Sequence, residues 1–189
     1  KGTSIGEKAK SVIVVKGIAL MKDVALINLE GSGMVGVPGV AERLFRSLRA
    51  EKISVMMISQ ASSEHSICIA VPLADGKRAQ KAVRTEFETE MHSDRIQTVD
   101  LQDECSILAA VGDQMAHERG VAARFFSALG KEGVNIMAIA QGSSERNISV
   151  IVNRKDAVRA LRASHAALYL SEQSLAIGII GPGLIGGTL

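Results

Sequence analysis

The sequence lacks tryptophan, and it has one tyrosine, four phenylalanines, three prolines and two cysteines in 189 residues. Sheets that bind single-stranded nucleic acid need aromatic side chains on which bases stack, so an RNA-binding sheet fares badly here. Lysine and arginine outnumber the acids by only 22 to 20, giving a net charge of +2 with no basic block, and this indicates no nucleic-acid stripe. Apolar runs such as Val12–Val15 and Ile148–Val152 are far too short to span a bilayer. Cys68 and Cys105 both lie in apolar, strand-like runs and read as buried reduced thiols.

Recognisable catalytic apparatus is also missing. His65, His92, His117 and His165 are scattered, with none at a ligand spacing from another or from a cysteine, so no metal site is expected. Ser62, Ser63, Ser143 and Ser144 lack a nucleophile context and read as hairpin-turn residues, and Glu64 and Glu145 fit exposed turns better than a general base. No catalytic residue is expected within the chain.

What is present is a duplication. Gln60–Glu64 (QASSE) returns as Gln141–Glu145 (QGSSE), an offset of 81 residues. Laying Val24–Val71 over Cys105–Val152 needs no gap and gives 17 identities in 48 positions. Chance would give about three, so a module has been copied, and 47% hydrophobic content suffices for two small cores.

Each copy reads as strand, glycine-containing loop, helix, strand, turn, strand, helix. Val24–Leu29 is the first strand of copy one, Pro38 stands where a helix can start, and Val40, Leu44, Phe45 and Leu48 recur at helical spacing. Ile53–Ile58 and Ile67–Val71 read as strands, Lys77–Glu90 as a second helix, and Ile96–Val99 as a short fourth strand. In copy two, Ser106–Val111, Val134–Ile139 and Ile148–Val152 are strands, a helix ends near Gly130 or Gly133, and Asp156–Ala167 is the second helix. The expected fold is α+β: two ferredoxin-like βαββαβ modules, each an antiparallel sheet with two helices on one face. Copy two lacks a fourth strand of its own, while a surplus apolar segment precedes copy one. Val12–Val15 or Gly17–Leu20 is therefore expected to complete the second sheet. The division is residues 1–22 as linker and strand, 23–101 as module one, 102–170 as module two, and 171–189 as the opening of something else.

That opening is Leu175–Ile180, an apolar strand candidate running into Gly181-Pro-Gly183-Leu184-Ile185-Gly186. In a dinucleotide fold the first glycine allows the tight turn, the second lets the backbone approach the pyrophosphate, and the third lets helix and strand pack. A generic glycine turn is the alternative. The residue that would choose NAD or NADP is not in the sequence, and the chain looks like an internal piece of something longer.

Gln60 and Gln141 close an apolar strand at the same place in each copy. A buried amide there either satisfies a hairpin or contacts a small polar ligand, and both readings are open. The glycine loops Gly31–Gly39 and Gly112–Gly120 lead into helix N-termini, which attract a carboxylate. Arg119 stands where copy one has Pro38, and His117 where it has Gly36, so the two loops are expected to differ in shape.

Val15–Ile18 (VKGI), Val24–Gly39 (VALINLEGSGMVGVPG), Ile58–Glu64 (ISQASSE), Gln141–Ile148 (QGSSERNI) and Ile179–Leu189 (IIGPGLIGGTL) together resemble the regulatory ACT domains of aspartate kinases. Two such modules leading into a glycine turn look like the bifunctional aspartokinase–homoserine dehydrogenase family, with a Rossmann α/β domain beginning at the end of the chain. The resemblance implies ATP and Mg in a kinase part, NADP or NAD in a dehydrogenase part, and no complete active site here. It implies L-threonine as inhibitor, with lysine as an alternative effector and a ligand-free oligomerising scaffold as the rival reading. Gln60 and Gln141 would be the paired effector contacts, with Met34, Gly39, Met115 and Gly120 completing the loops, and Gly181, Gly183, Leu184, Ile185 and Gly186 would be dinucleotide contacts. It further implies a homo-oligomer through the sheets, with neither nucleic acid nor membrane as partner. The compartment would be cytoplasmic in a bacterium and the plastid (chloroplast) in a plant.

Overall fold

The computed structural model describes residues 14–62 and 64–169. Two 14-residue strands organise them: β1 (Gly17–Glu30) and β2 (Thr98–Val111), paired antiparallel along most of their length. Between them in sequence lie α1 (Val40–Ala50), β3 (Met57–Gln60), β4 (Ser66–Pro72), α2 (Gly76–Glu86) and α3 (Glu88–His92). After β2 come α4 (Val121–Lys131), β5 (Ile136–Gln141), β6 (Asn147–Asn153) and α5 (Ala157–Tyr169). The sheet order is β3-β4-β1-β2-β6-β5, every neighbouring pair antiparallel.

Each long strand serves both modules. Val24–Glu30 pairs with β4 of the first copy, whereas Gly17–Met21 pairs with Ile107–Val111 of the second. Reciprocally, Cys105–Val111 pairs with β6, while Thr98–Gln102 pairs with Leu26–Glu30. The register changes twice around Val24, which lies opposite Cys105, its own counterpart at the 81-residue offset. A local two-fold relation therefore passes through that pair. Asp23, at φ 58°, takes up the bend and forms an ion pair with Arg154 at 3.1 Å.

This differs from the sequence expectation in an instructive way. Ile96–Val99 and Ser106–Val111 were expected as separate strands, but the polar residues between them, Asp100 to Glu104, stay within one continuous strand. Their alternation with apolar residues is weak because the strand changes module there. Strand β3 begins at Met57 rather than Ile53, since Ile53 instead tucks beneath α1, its N–H donating to Leu48 O at 3.0 Å. The helix expected over Lys77–Glu90 breaks at Phe87 (φ −107°), whose buried ring fills the first core. Helix α1 starts at Val40 with Gly39 as its N-cap, so Pro38 sits just outside it.

Three cores result. Ile27, Leu29, Leu44, Leu48, Ile69 and Phe87 form the first, under α1 and α2. Leu108, Phe125, Leu129, Val150 and Ala160, with Val15 from before β1, form the second, under α4 and α5. The third contains Val24, Leu26, Met57 and Ala70 against Cys105, Ile107, Ala138 and Ile151. Those four pairs are counterparts at the 81-residue offset. Each half-sheet is thus covered on one face by its own helices and over the centre of the other face by the opposite module. That explains why the strand segments read as near-continuous apolar runs. The fold-back brings the outer strands together, and Ser59 Oγ donates to Ile139 O at 2.7 Å.

Two glycines permit the exchange of strands. A Cβ on Gly31 would lie 2.4 Å from Arg95 O, and one on Gly112 would lie 2.3 Å from Val14 O. At both places the incoming segment crosses the start of the loop, and equivalent bonds fix the crossing: Gln97 N to Glu30 O at 2.9 Å and Lys16 N to Val111 O at 2.7 Å.

The helix layers are not equivalent. Arg43 of α1 hydrogen-bonds Glu86 Oε1 at 2.9 Å, pairs with Glu90, and lies 4.6 Å over the Phe87 ring. These bonds hold both carboxyls below their ordinary value of 4.5, against the opposing effect of burial. The counterpart Arg124 faces no such set, because Ala167 and Leu168 stand at the positions of Glu86 and Phe87.

Gly31→Ala and Gly112→Ala are each expected to destabilise the fold by about 2–3 kcal/mol, through overpacking against backbone, as read by urea unfolding. Because Glu86 and Glu90 have lowered folded pKa values, their contribution to stability is full above pH 4.5 and is lost as pH falls through the folded values. The unfolding midpoint should drop below pH 4.5, and Arg43→Met should flatten that part of the profile.

Candidate functional site

In each module the chain leaves the long strand, makes one short 3₁₀ turn and enters a helix through a left-handed glycine. The turns are Ser32–Met34 and Asp113–Met115. Gly39 caps α1 at φ 90°, and Gly120 caps α4 at φ 84°. A side chain would be strained at these angles, which is why glycine recurs there. Met34 and Met115 point into the cores, each 3% exposed, and anchor the loops from beneath. Met34 also forms part of the wall of the pocket described below.

The expectation that the loops differ in shape does not hold for the backbone. Gly31 and Gly112 have φ −177° and −179°, and Gly36 and His117 have φ 69° and 66°. His117 thus occupies a conformation that glycine fills in the first copy. The loops differ instead in what projects from them: His117 and Arg119 add cationic or hydrogen-bonding groups where copy one has Gly36 and Pro38.

The two turn glutamates have a defined task that the sequence did not reveal. Glu64 Oε2 accepts from Gly36 N at 2.8 Å, and Glu145 Oε2 accepts from His117 N at 2.7 Å. Both glutamates themselves stand in the left-handed region, at φ 54° and 55°. Each carboxylate therefore ties the tip of the β3–β4 or β5–β6 turn across to the glycine loop. The only sequence signal was the repetition of Ser-Ser-Glu after each glutamine.

Gln60 and Gln141 end β3 and β5, and both are exposed rather than buried. Neither side chain has a hydrogen-bond partner among the described residues, which disfavours the hairpin-bond reading. Gln60 instead lines a pocket of about 260 Å³ with Met34, Gly39, Val40, Glu64 and Ile67. The first turn of α1 opens into it, presenting backbone N–H groups at the positive end of the helix. Three groups converge there: helix N–H donors, a carboxylate and a free carboxamide. The arrangement suits a small zwitterion bearing a polar side chain.

Cys68 and Cys105 are unpaired, and burial pushes both thiols up. Cys68 donates to Asn28 Oδ1 at 3.1 Å. Among the described residues no cluster of His, Cys, Asp or Glu could hold a metal ion, and no helix is long and apolar enough to cross a membrane. The turn bearing Gly181, Gly183, Leu184, Ile185 and Gly186 lies outside the described residues.

A family model for the ACT domain matches residues 27–87 and again 108–168. The chain is 53% identical over 175 residues to the chloroplastic bifunctional aspartokinase/homoserine dehydrogenase 1 of Arabidopsis thaliana, covering 93% of this chain and 19% of that protein. It is 39% identical over 189 residues to the bifunctional aspartokinase/homoserine dehydrogenase of Haemophilus influenzae, covering 100% of this chain and 23% of that protein. The chain therefore spans about a fifth of the length of the curated relatives it matches. Among solved structures, the ligand-free regulatory subunit of aspartate kinase from Thermus thermophilus superposes with a TM-score of 0.67 at 30% identity, covering 82% of this chain and 98% of that one.

Glu64→Gln and Glu145→Gln should leave the fold intact while loosening the tie to each loop. The expected readout is several-fold faster amide exchange at Gly36 and His117 respectively, since a charge-assisted bond becomes a neutral one.

Proposed function

The chain belongs to the ACT-domain family, as the tandem regulatory region of aspartokinases, and from that premise we propose that it senses L-threonine for a bifunctional aspartokinase/homoserine dehydrogenase. The observation that carries this reading is the pocket between Gln60 and the N-terminus of α1. A ligand α-carboxylate meets the free N–H groups of the first helical turn, the ammonium meets Glu64, and the Gln60 carboxamide hydrogen-bonds the side-chain hydroxyl. Gly39 keeps the loop clear of the ligand, and Met34 supports it from the core. In the second module Gln141, Glu145, Gly120 and Met115 occupy the same places in the fold. The relatives' dehydrogenase half favours threonine over lysine, because homoserine lies on the way to threonine.

The parent polypeptide would phosphorylate aspartate with ATP and Mg and reduce aspartate semialdehyde with NADPH or NADH. Gly181, Gly183, Leu184, Ile185 and Gly186 would approach the pyrophosphate of the dinucleotide. Both catalytic centres lie outside this chain. Threonine then acts allosterically, and it shifts the equilibrium between module arrangements only by its differential affinity for them. A 100-fold preference corresponds to about 2.7 kcal/mol per site. Ile58 and Ile139 are 48% and 45% exposed on adjoining strands, and this apolar surface supports a homo-oligomer built through the sheets.

Calorimetric titration with threonine, with lysine and methionine as controls, is expected to give threonine-specific binding at two sites per chain. Gln60→Ala and Gln141→Ala should each remove one site and lower the threonine-dependent rise in melting temperature. Unchanged threonine binding in both variants would refute the glutamine assignment. Absence of binding in the folded wild-type chain would leave the scaffold reading in its place.

A further inference from the structure

The internal repeat supplies its own control for surface chemistry. On the outer face of α2 stand Lys77, Gln80, Lys81 and Arg84, followed by Glu88 at the start of α3. Their counterparts on and after the start of α5 are Val158, Leu161, Arg162, His165 and Tyr169. The same face of the same fold is polar in one module and largely apolar in the other. Val158 is 45% exposed, and Ile18, Leu161, Ala166 and Tyr169 line a groove of about 470 Å³ whose rim carries the His165 ring stacked 4.8 Å from Tyr169.

The strand bordering each face differs in the same sense. Beyond its pairing with β1, the Thr98–Gln102 stretch of β2 is a sheet edge, because β6 pairs only from Cys105 onward. Gln80 Nε2 covers that edge by donating to Val99 O at 2.9 Å. The equivalent edge is Gly17–Met21 of β1, since β4 pairs only from Val24 onward. Leu161 stands in the place of Gln80 and has nothing to donate to Ile18 O. Module one thus finishes this corner with polar groups, and module two leaves it largely apolar, with Leu161 in the place of the donor. That is the condition of a docking surface.

We propose that this α5–β1 face seats the folded domain that opens with Leu175–Gly186. The inference rests on reading that segment as the start of a dinucleotide-binding domain. Tyr169 lines the groove, and five residues, 170–174, separate it from Leu175. Fully extended, that tether reaches no more than about 20 Å, so the domain cannot leave the neighbourhood of the groove. So short a link raises its effective concentration at the face to roughly millimolar or above, enough for a modest apolar contact to stay closed. The α2 face, by contrast, is polar. The seat also lies on the module that carries Gln141, so an effector-driven shift of α4 and α5 would reach the attached domain directly.

The test compares thiol labelling of Val158→Cys in the 189-residue chain and in the polypeptide extended through the complete dinucleotide-binding domain, with Lys77→Cys as internal control. Cys68 and Cys105 contribute little, because burial raises both thiols. Position 158 should label at least about tenfold more slowly in the extended polypeptide, while position 77 labels equally in both. Adding Leu161→Lys, which restores the polar character of module one, should return position 158 to the fast rate. Equal rates at position 158 overturn the proposal. So does a slow rate that becomes fast on dilution, which would mean a second copy covers the face. Failure of the extended polypeptide to bind NADPH or NADH, measured separately by fluorescence, removes the dinucleotide reading and the named occupant with it, whatever the labelling shows.

Discussion

The two modules exchange strand segments where Val24 meets Cys105, and the cores and glycine loops take their positions from that crossing. Each module would otherwise be a three-stranded sheet with two helices, leaving a raw edge and one apolar face uncovered. By lending Gly17–Met21 to the second module and Thr98–Gln102 to the first, the two long strands supply the fourth strand of both modules at once. The same crossing folds the sheet back on itself and creates the third core from four symmetric residue pairs. Separating the modules would expose that core and break strand pairing in both, so they form one cooperative unit rather than two beads on a string.

This arrangement also fixes where a ligand can bind. The crossing segments lie against Gly31 and Gly112, at the start of the glycine loops. From there the loop path is set by Met34 or Met115 below, by the left-handed cap ahead, and by Glu64 or Glu145 reaching across from the neighbouring turn. Small-molecule recognition needs donors held in place before the ligand arrives, and these loops are held at four points. The loops are joined through one continuous sheet, so a ligand that tightens one acts on elements shared with the other.

Departures from the repeat are where the two modules take on different duties. The Arg43–Glu86–Glu90 set ties α1 to α2 and α3, while α4 and α5 meet through apolar packing around Phe125 and Leu129. His117 and Arg119 change the surface of the second loop without changing its backbone. The outer face of the second helix is polar in the first module and apolar in the second. A duplicated fold offers two equivalent positions for every contact, and selection on one copy need not touch the other.

The duplication, the α+β class and the correspondence of Gln60 with Gln141 were legible without coordinates, because identical residues recur at one fixed offset. The sequence also offered Val12–Val15 or Gly17–Leu20 as the segment that completes the second sheet, and Gly17–Met21 is the one that pairs there. The remaining features arise only in the packed chain. That Thr98–Val111 is a single strand was hidden by the mostly polar stretch Asp100–Glu104, where Asp100, Leu101 and Gln102 pair with β1 although the side chains are mostly exposed. Glu64 and Glu145 looked like ordinary turn residues, since nothing local says that a carboxylate will meet an amide 28 residues earlier in the chain. Gln60 looked buried because it ends an apolar strand, but that strand lies at the sheet's edge, where its last residue is exposed beside the open pocket at the start of α1. Periodicity records how each residue relates to its own element. Which element comes to lie across from it is set by the crossing of two distant strands.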